Sequence, residues 1–139
     1  MEKVKVLFIE DEDFLRSLFS EALSLDTTRK YEVLKAQDLI SGLDVVKISE
    51  PDVIILDLIL PTNKAAGSED LSEERGFEFL KKIKADPKLK DIPVVVFSNL
   101  NEPGIKAKAM ELGATEYLVK VETLPQKFVE TLKKIISSI

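Results

Sequence analysis

The sequence contains no cysteine and no histidine. The first absence excludes disulfides, zinc-thiolate sites and thiol catalysis. The second excludes Ser-His catalysis, His-ligated metals and any phosphohistidine on this chain. Tryptophan is missing as well, and only five glycines occur. None of them builds a glycine-rich loop after the first apolar segment, the device that lets nucleotide phosphates approach backbone N–H groups. No apolar run is long enough to span a membrane, and Met1-Glu2-Lys3-Val4 lacks the cationic then apolar order of a signal peptide. A cytoplasmic protein with no membrane partner is the expectation. Positive charge is in the minority, 20 Lys and Arg against 25 Asp and Glu, and the resulting net charge of -5 argues against non-specific binding to nucleic acid.

What is present fits one folded unit. A chain of 139 residues, 45% hydrophobic and 32% charged, is long enough to bury a core and has a globular composition. A single domain over 1–139 is therefore expected. Its centre is Pro51-Asp52-Val53-Ile54-Ile55-Leu56-Asp57-Leu58-Ile59-Leu60-Pro61. A continuous aliphatic run of this kind reads as a strand covered on both faces, the signature of a parallel sheet between helices. Further strands are expected at Val4–Ile9, Tyr31–Ala36, Ile92–Phe97 and Thr115–Val119. Helical spacing separates them. Phe14, Leu15, Leu18, Phe19, Ala22 and Leu23 define the first helix, with Asp13 or a neighbour as cap, and Asp38 caps the second.

The third helix should begin near Glu73 or Gly76 and stop at Ala85, before Asp86-Pro87. The fourth runs from Pro103 to Leu112 and ends at Gly113, and the fifth opens on a capping box at Thr123-Leu124-Pro125-Gln126. Five strands alternating with five helices give a three-layer α/β domain with a parallel sheet. One polar segment, 62–75, reads as an insertion, longer than most connections in such a domain.

The polar residues that break the pattern all fall at strand ends: Glu10 and Asp11, Asp57, Ser98 and Lys120. Alone, Asp57 would serve as a cap for the next turn, and the acids from Glu10 to Asp13 would complement a helix dipole. Together they occupy the place where open α/β sheets bind ligands, outside the carboxyl ends of the strands. Crowded carboxylates need a cation, and Mg²⁺ suits a site of one or two carboxylates plus a phosphate. Lys120 can face a phosphoryl oxygen, Ser98 can donate to another, and Asp57 is then equipped as a nucleophile toward phosphorus.

This set resembles the receiver domains of two-component response regulators: Glu10-Asp11 with Arg16 downstream, the block ending in Asp57, then Ser98, Tyr117 and Lys120. The resemblance implies a stand-alone receiver of flavodoxin-like fold with strand order 2-1-3-4-5. It implies that Asp57 accepts a phosphoryl group from a histidine kinase or a histidine phosphotransfer protein, with Mg²⁺ held by Glu10, Asp11, Asp57 and the backbone carbonyl of Ile59. Lys120 and Ser98 would assist, and Ser98 and Tyr117 would act as the switch that remodels the face of helix four, strand five and helix five. Such a protein promotes its own phosphorylation and slow dephosphorylation without turnover on an external substrate. With no DNA-binding domain in view, its output would pass to another protein, and homodimerisation on phosphorylation stays open. The alternative is a degenerate receiver that binds partners without phosphorylation. An Asp-x-Asp phosphatase fits less well, since Ile59 stands where the second aspartate is needed.

Three positions depart from the family pattern. Val121 follows the lysine where proline is usual, so a trans Lys120-Val121 bond is expected. Asn99 replaces a small residue after the hydroxyl, and Ile59 offers no polar group to guide water; both point to a long-lived phosphoryl state. The segment 62–75 carries Glu69, Asp70, Glu73 and Glu74 near the expected site.

Overall fold

The computed structural model describes residues 3–61 and 73–139. Five strands, β1 (Val4–Ile9), β2 (Tyr31–Ala36), β3 (Val53–Leu56), β4 (Val94–Ser98) and β5 (Glu116–Val119), form one parallel sheet in the order β2-β1-β3-β4-β5. Helices α1 (Asp13–Ser24), α2 (Leu39–Ser49), α3 (Glu73–Ala85), α4 (Pro103–Glu111) and α5 (Pro125–Ser137) alternate with them. This is the expected fold, flavodoxin-like and three layers deep. Among the described residues no helix is long and apolar enough to cross a membrane.

Period-two alternation divides the strands between two cores. Val6, Phe8, Val53, Ile55, Val95 and Phe97 face α1 and α5, while Leu7, Ile9, Ile54, Leu56, Val94 and Val96 face the other helical layer. Four of the few aromatics meet under α1 and α5. Phe19, Phe97, Phe8 and Phe128 pack with ring centroids 4.8 to 5.7 Å apart, an arrangement that fixes both helices against the sheet.

Several local expectations are corrected. The N-cap of α1 falls on the neighbour of Asp13, Glu12, but its side chain makes no capping bond, and the Asp13 carboxylate pairs with Arg16 instead. Thr123 does not form a capping box. Leu124 occupies the N-cap of α5, and the Thr123 hydroxyl donates to the Val119 carbonyl at 2.7 Å. Phe14 and Leu18 share helical spacing with the core residues of α1 but face solvent, because that helix buries only the stripe through Phe19 and Leu23. β4 starts two residues late, since Pro93 has no N–H to donate and the Ile92 N–H closes a turn on Leu89.

Asp38 caps α2 as expected, accepting from the Ser41 N–H at 2.8 Å, and Gly113 follows α4 with φ of 107°. No cis peptide bond occurs among the described residues, in line with a trans Lys120-Val121 link. Of the polar insertion, 62–72 lies outside the described residues, and Glu73 to Arg75 form the first turn of α3. That helix can approach only because of Gly76: a Cβ there would lie 2.6 Å from the Leu58 Cα. The glycine thus lets α3 press on the chain immediately after Asp57.

Candidate functional site: the carboxyl edge of the sheet

Strand register assembles the site. Ile9 pairs with Leu56, so the next residues, Glu10 and Asp57, leave the sheet side by side, with the Asp57 N–H donating to the Ile9 carbonyl at 3.1 Å. Ser98 pairs with Val119, which brings Lys120 up beside the end of β4. β1 is where the strand order reverses, with β2 on one side and β3 on the other, so the crevice opens beyond its carboxyl end. A cavity of about 320 Å³ lies there, lined by Asp11, Asp57, Ile59, Ser98, Asn99 and Lys120 among others.

Asp57 is almost fully buried. Its Oδ1 accepts from the Ile59 N–H at 3.0 Å, and its Oδ2 meets the Lys120 ammonium at 2.7 Å. The same ammonium lies 2.7 Å from Glu10 Oε2. That contact is an ion pair without hydrogen-bond alignment, and Glu10 Oε2 has no aligned donor although it is buried. Glu10 Oε1 accepts from the Glu12 N–H at 3.2 Å.

Burial pushes the Glu10 carboxyl up to about 7, aided by the charge of Asp57 and opposed by Lys120. Burial likewise raises Asp57, against the pull of Lys120. For Lys120 burial acts downward, but Asp57 and Glu10 outweigh it and hold the ammonium above its ordinary value. One cation therefore serves two desolvated acids, and it does not relieve them fully.

One carboxylate oxygen from each of Glu10, Asp11 and Asp57 lies within 4.8 Å of the other two. An all-oxygen donor set with an unaligned, buried oxygen suits a hard divalent ion such as Mg²⁺. Ile59 lines the same cavity.

The other expected residues sit around this centre. Ser98 is fully buried, and its Oγ accepts from the Leu100 N–H at 3.2 Å. The half-buried Tyr117 donates its hydroxyl to the Leu100 carbonyl at 2.6 Å, so both backbone polar groups of Leu100 are tied to candidate switch residues. Asn99 Oδ1 accepts from the Val121 N–H at 3.1 Å, a bond that joins the loop after β4 to the turn after β5. Proline at that position would have no N–H to give.

The geometry agrees with what the chain is similar to. The model of the response regulator receiver domain matches residues 6–133. The chain belongs to this family. Receivers work in phosphorylation-based signalling, usually bind Mg²⁺ and suggest a histidine kinase as partner.

Among curated relatives, a protein-glutamate methylesterase/protein-glutamine glutaminase of Clostridium acetobutylicum is 34% identical over 129 residues, covering 88% of this receiver and 32% of that protein. This receiver thus spans about a third of that relative's length. Among solved structures, the phosphorylated cyanobacterial phytochrome response regulator RcpA is 29% identical with a TM-score of 0.78, covering 99% of this chain and 96% of that one. The Mn²⁺-bound response regulator Rcp1 is 26% identical with a TM-score of 0.72, covering 96% and 90%.

Proposed function

We propose that this receiver is a phosphorylation-activated switch in which Asp57 accepts a phosphoryl group from a phosphohistidine of a histidine kinase or histidine phosphotransfer protein. The observation that carries this reading is the shared cavity: Asp57, paired with the Lys120 ammonium, lines it together with Asp11, Glu12 and the Ser98 hydroxyl. An Asp57 oxygen attacks phosphorus, the P–N bond breaks, and its electron pair returns to the donor imidazole, leaving an acyl phosphate. The Ile59 N–H holds Oδ1 and so fixes the carboxylate plane for attack. Lys120, already on Oδ2, moves its ion pair to a phosphoryl oxygen as negative charge grows there, keeping its own proton.

Glu10, Asp11, Asp57 and the Ile59 carbonyl would hold Mg²⁺, which when bound neutralises phosphoryl oxygens. Ser98 can donate its O–H to the phosphoryl group while its oxygen still accepts from the Leu100 N–H, so a shift of the hydroxyl toward that group is passed to Leu100, whose carbonyl Tyr117 holds. The reading extends that change to the face of α4, β5 and α5, where partner affinity would alter. It takes 1–139 as a single receiver with a polar insertion at 62–75, and the crowding of Asn99 and Ile59 at the cavity favours slow loss of the phosphoryl group. RcpA in phosphorylated form and Rcp1 with Mn²⁺ support it by similarity.

The test is intact mass after incubation with acetyl phosphate and Mg²⁺. Wild type should gain one phosphoryl group and Asp57→Asn none. No gain in wild type would favour a partner-binding module that works without phosphorylation.

A further inference from the structure

Arg16 takes no part in the chemistry above, yet it is one of the few charged side chains buried in the described fold. Its Nη1 donates to the Glu10 carbonyl at 2.9 Å, and its Nη2 pairs with the Asp13 carboxylate. Its own N–H closes on the Glu12 carbonyl at 3.2 Å. The turn that carries two of the three clustered acids is therefore held along its length. The Glu10 N–H is on Ala36, the Glu10 carbonyl is on Arg16, and Glu10 Oε1 is on the Glu12 N–H.

A guanidinium directed at a backbone carbonyl and at Asp13 does not neutralise the clustered carboxylates. It fixes where the chain turns between strand and helix, and a planar fork does this in a way that a lysine cannot. This also gives Asp13 a task that helix capping leaves open.

We infer that Arg16, oriented by Asp13, is a positioning residue for the divalent-cation site: by gripping the Glu10 carbonyl it sets where the Glu10 and Asp11 carboxylates project. The inference rests on reading the three acids as a cation site. Charge and geometry make opposite demands here, which renders it testable. Deleting a positive charge beside three carboxylates would tighten cation binding by electrostatics alone. Losing the grip on the turn weakens it, as removal of groups that orient metal ligands typically does, by about ten- to a hundredfold.

The experiment is calorimetric titration of Mg²⁺ into the full chain as wild type, Arg16→Ala, Arg16→Lys and Asp13→Asn, with circular dichroism of each metal-free protein as the check on folding. Both Arg16 variants should raise the dissociation constant about tenfold or more, and Asp13→Asn should raise it by a smaller factor. If Arg16→Ala does not fold, the charge-conserving Arg16→Lys decides. Folded Arg16 variants that bind Mg²⁺ as tightly as wild type, or more tightly, would overturn the inference and leave the cation site standing. Absence of binding by wild type would remove the site and the inference with it.

Discussion

Two aspartates with nearly equal exposure behave in opposite ways. The side chain of Asp57 is 7% exposed and that of Asp26, in the turn between α1 and β2, is 3% exposed. Asp57 is pushed above the usual carboxylate range, while Asp26 is held down to about 2. The difference lies in donors and in depth. Asp26 accepts from the hydroxyl of Thr28, the hydroxyl of Tyr31 at 2.7 Å and the Thr28 N–H at 2.9 Å, with Lys133 at 3.9 Å. These donors come from the turn itself, from Tyr31 at the start of β2 and from Lys133 on α5, and together they outweigh the cost of leaving water. Asp57 lies deep at a sheet edge with one backbone donor and an ammonium it must share with Glu10. A carboxylate with a full set of donors is committed to structure; one left short of them at a cavity wall is available for chemistry.

The largest effect should come from removing the shared cation. Lys120→Met leaves Glu10 and Asp57 buried without countercharge, and breaking a buried pair from one side typically costs about 3 to 5 kcal/mol. Urea denaturation at pH 8 should show a loss of that order. Because protonating the two acids removes the uncompensated charge, most of the loss should be recovered at pH 5. A pH-independent loss would mean that Lys120 matters through packing alone.

In wild type the same under-satisfaction should appear as a pH dependence of unusual sign. Glu10 titrates near 7 folded and near 4.5 unfolded, so the folded state holds the extra proton between those values. The Glu10 penalty is complete above about pH 7 and fades as pH falls toward 4.5. In metal-free buffer, stability should therefore rise on going from pH 8 to pH 5, by up to about 3 kcal/mol from this group. Glu10→Gln should flatten that limb, and Mg²⁺ should flatten it in wild type by countering the carboxylates. A limb of the same slope in Glu10→Gln would assign it to other groups.

The sequence made the architecture legible because the central strands β3 and β4 are built on unbroken apolar runs, the outer strands are short and mostly apolar, and the helices between them carry apolar residues at helical spacing. The polar residues of the site stand out for the same reason, as exceptions at strand ends. Strand order and register then bring Asp57 beside Glu10 and Lys120 beside Ser98. What spacing does not reveal is the choice of partner among several within reach. Asp13 and Thr123 both look like caps, yet Arg16 claims the first and the Val119 carbonyl the second. Arg16 is marked in the sequence only by its place downstream of Glu10-Asp11, and its role is not legible there, since its acceptor is a carbonyl with no side-chain signature. Phe14 and Leu18 show the limit of periodicity, which defines an apolar stripe without saying how much of it the sheet can cover.

The smallest effect belongs to the other side of the comparison. The Asp26 carboxyl is near 3.8 unfolded and about 2 folded, lowered first by the Thr28 hydroxyl and then by that of Tyr31. A depressed folded value stabilises above the unfolded value and is lost as pH falls through the folded one, so this contribution disappears between about pH 4 and pH 2. The acid limb is thus opposite in sign to the Glu10 limb and well separated from it in pH. Asp26→Asn should lower stability at pH 7 only modestly, because the amide oxygen can still accept from the Thr28 donors, and should flatten the decline below pH 4. The limb near neutrality should be unchanged, since Asp26 lies in the turn after α1 while Glu10, which sets that limb, lies before that helix. A variant that altered both limbs would show that the two carboxylates share one electrostatic field, and the contrast between them would then reflect the whole fold rather than local donors.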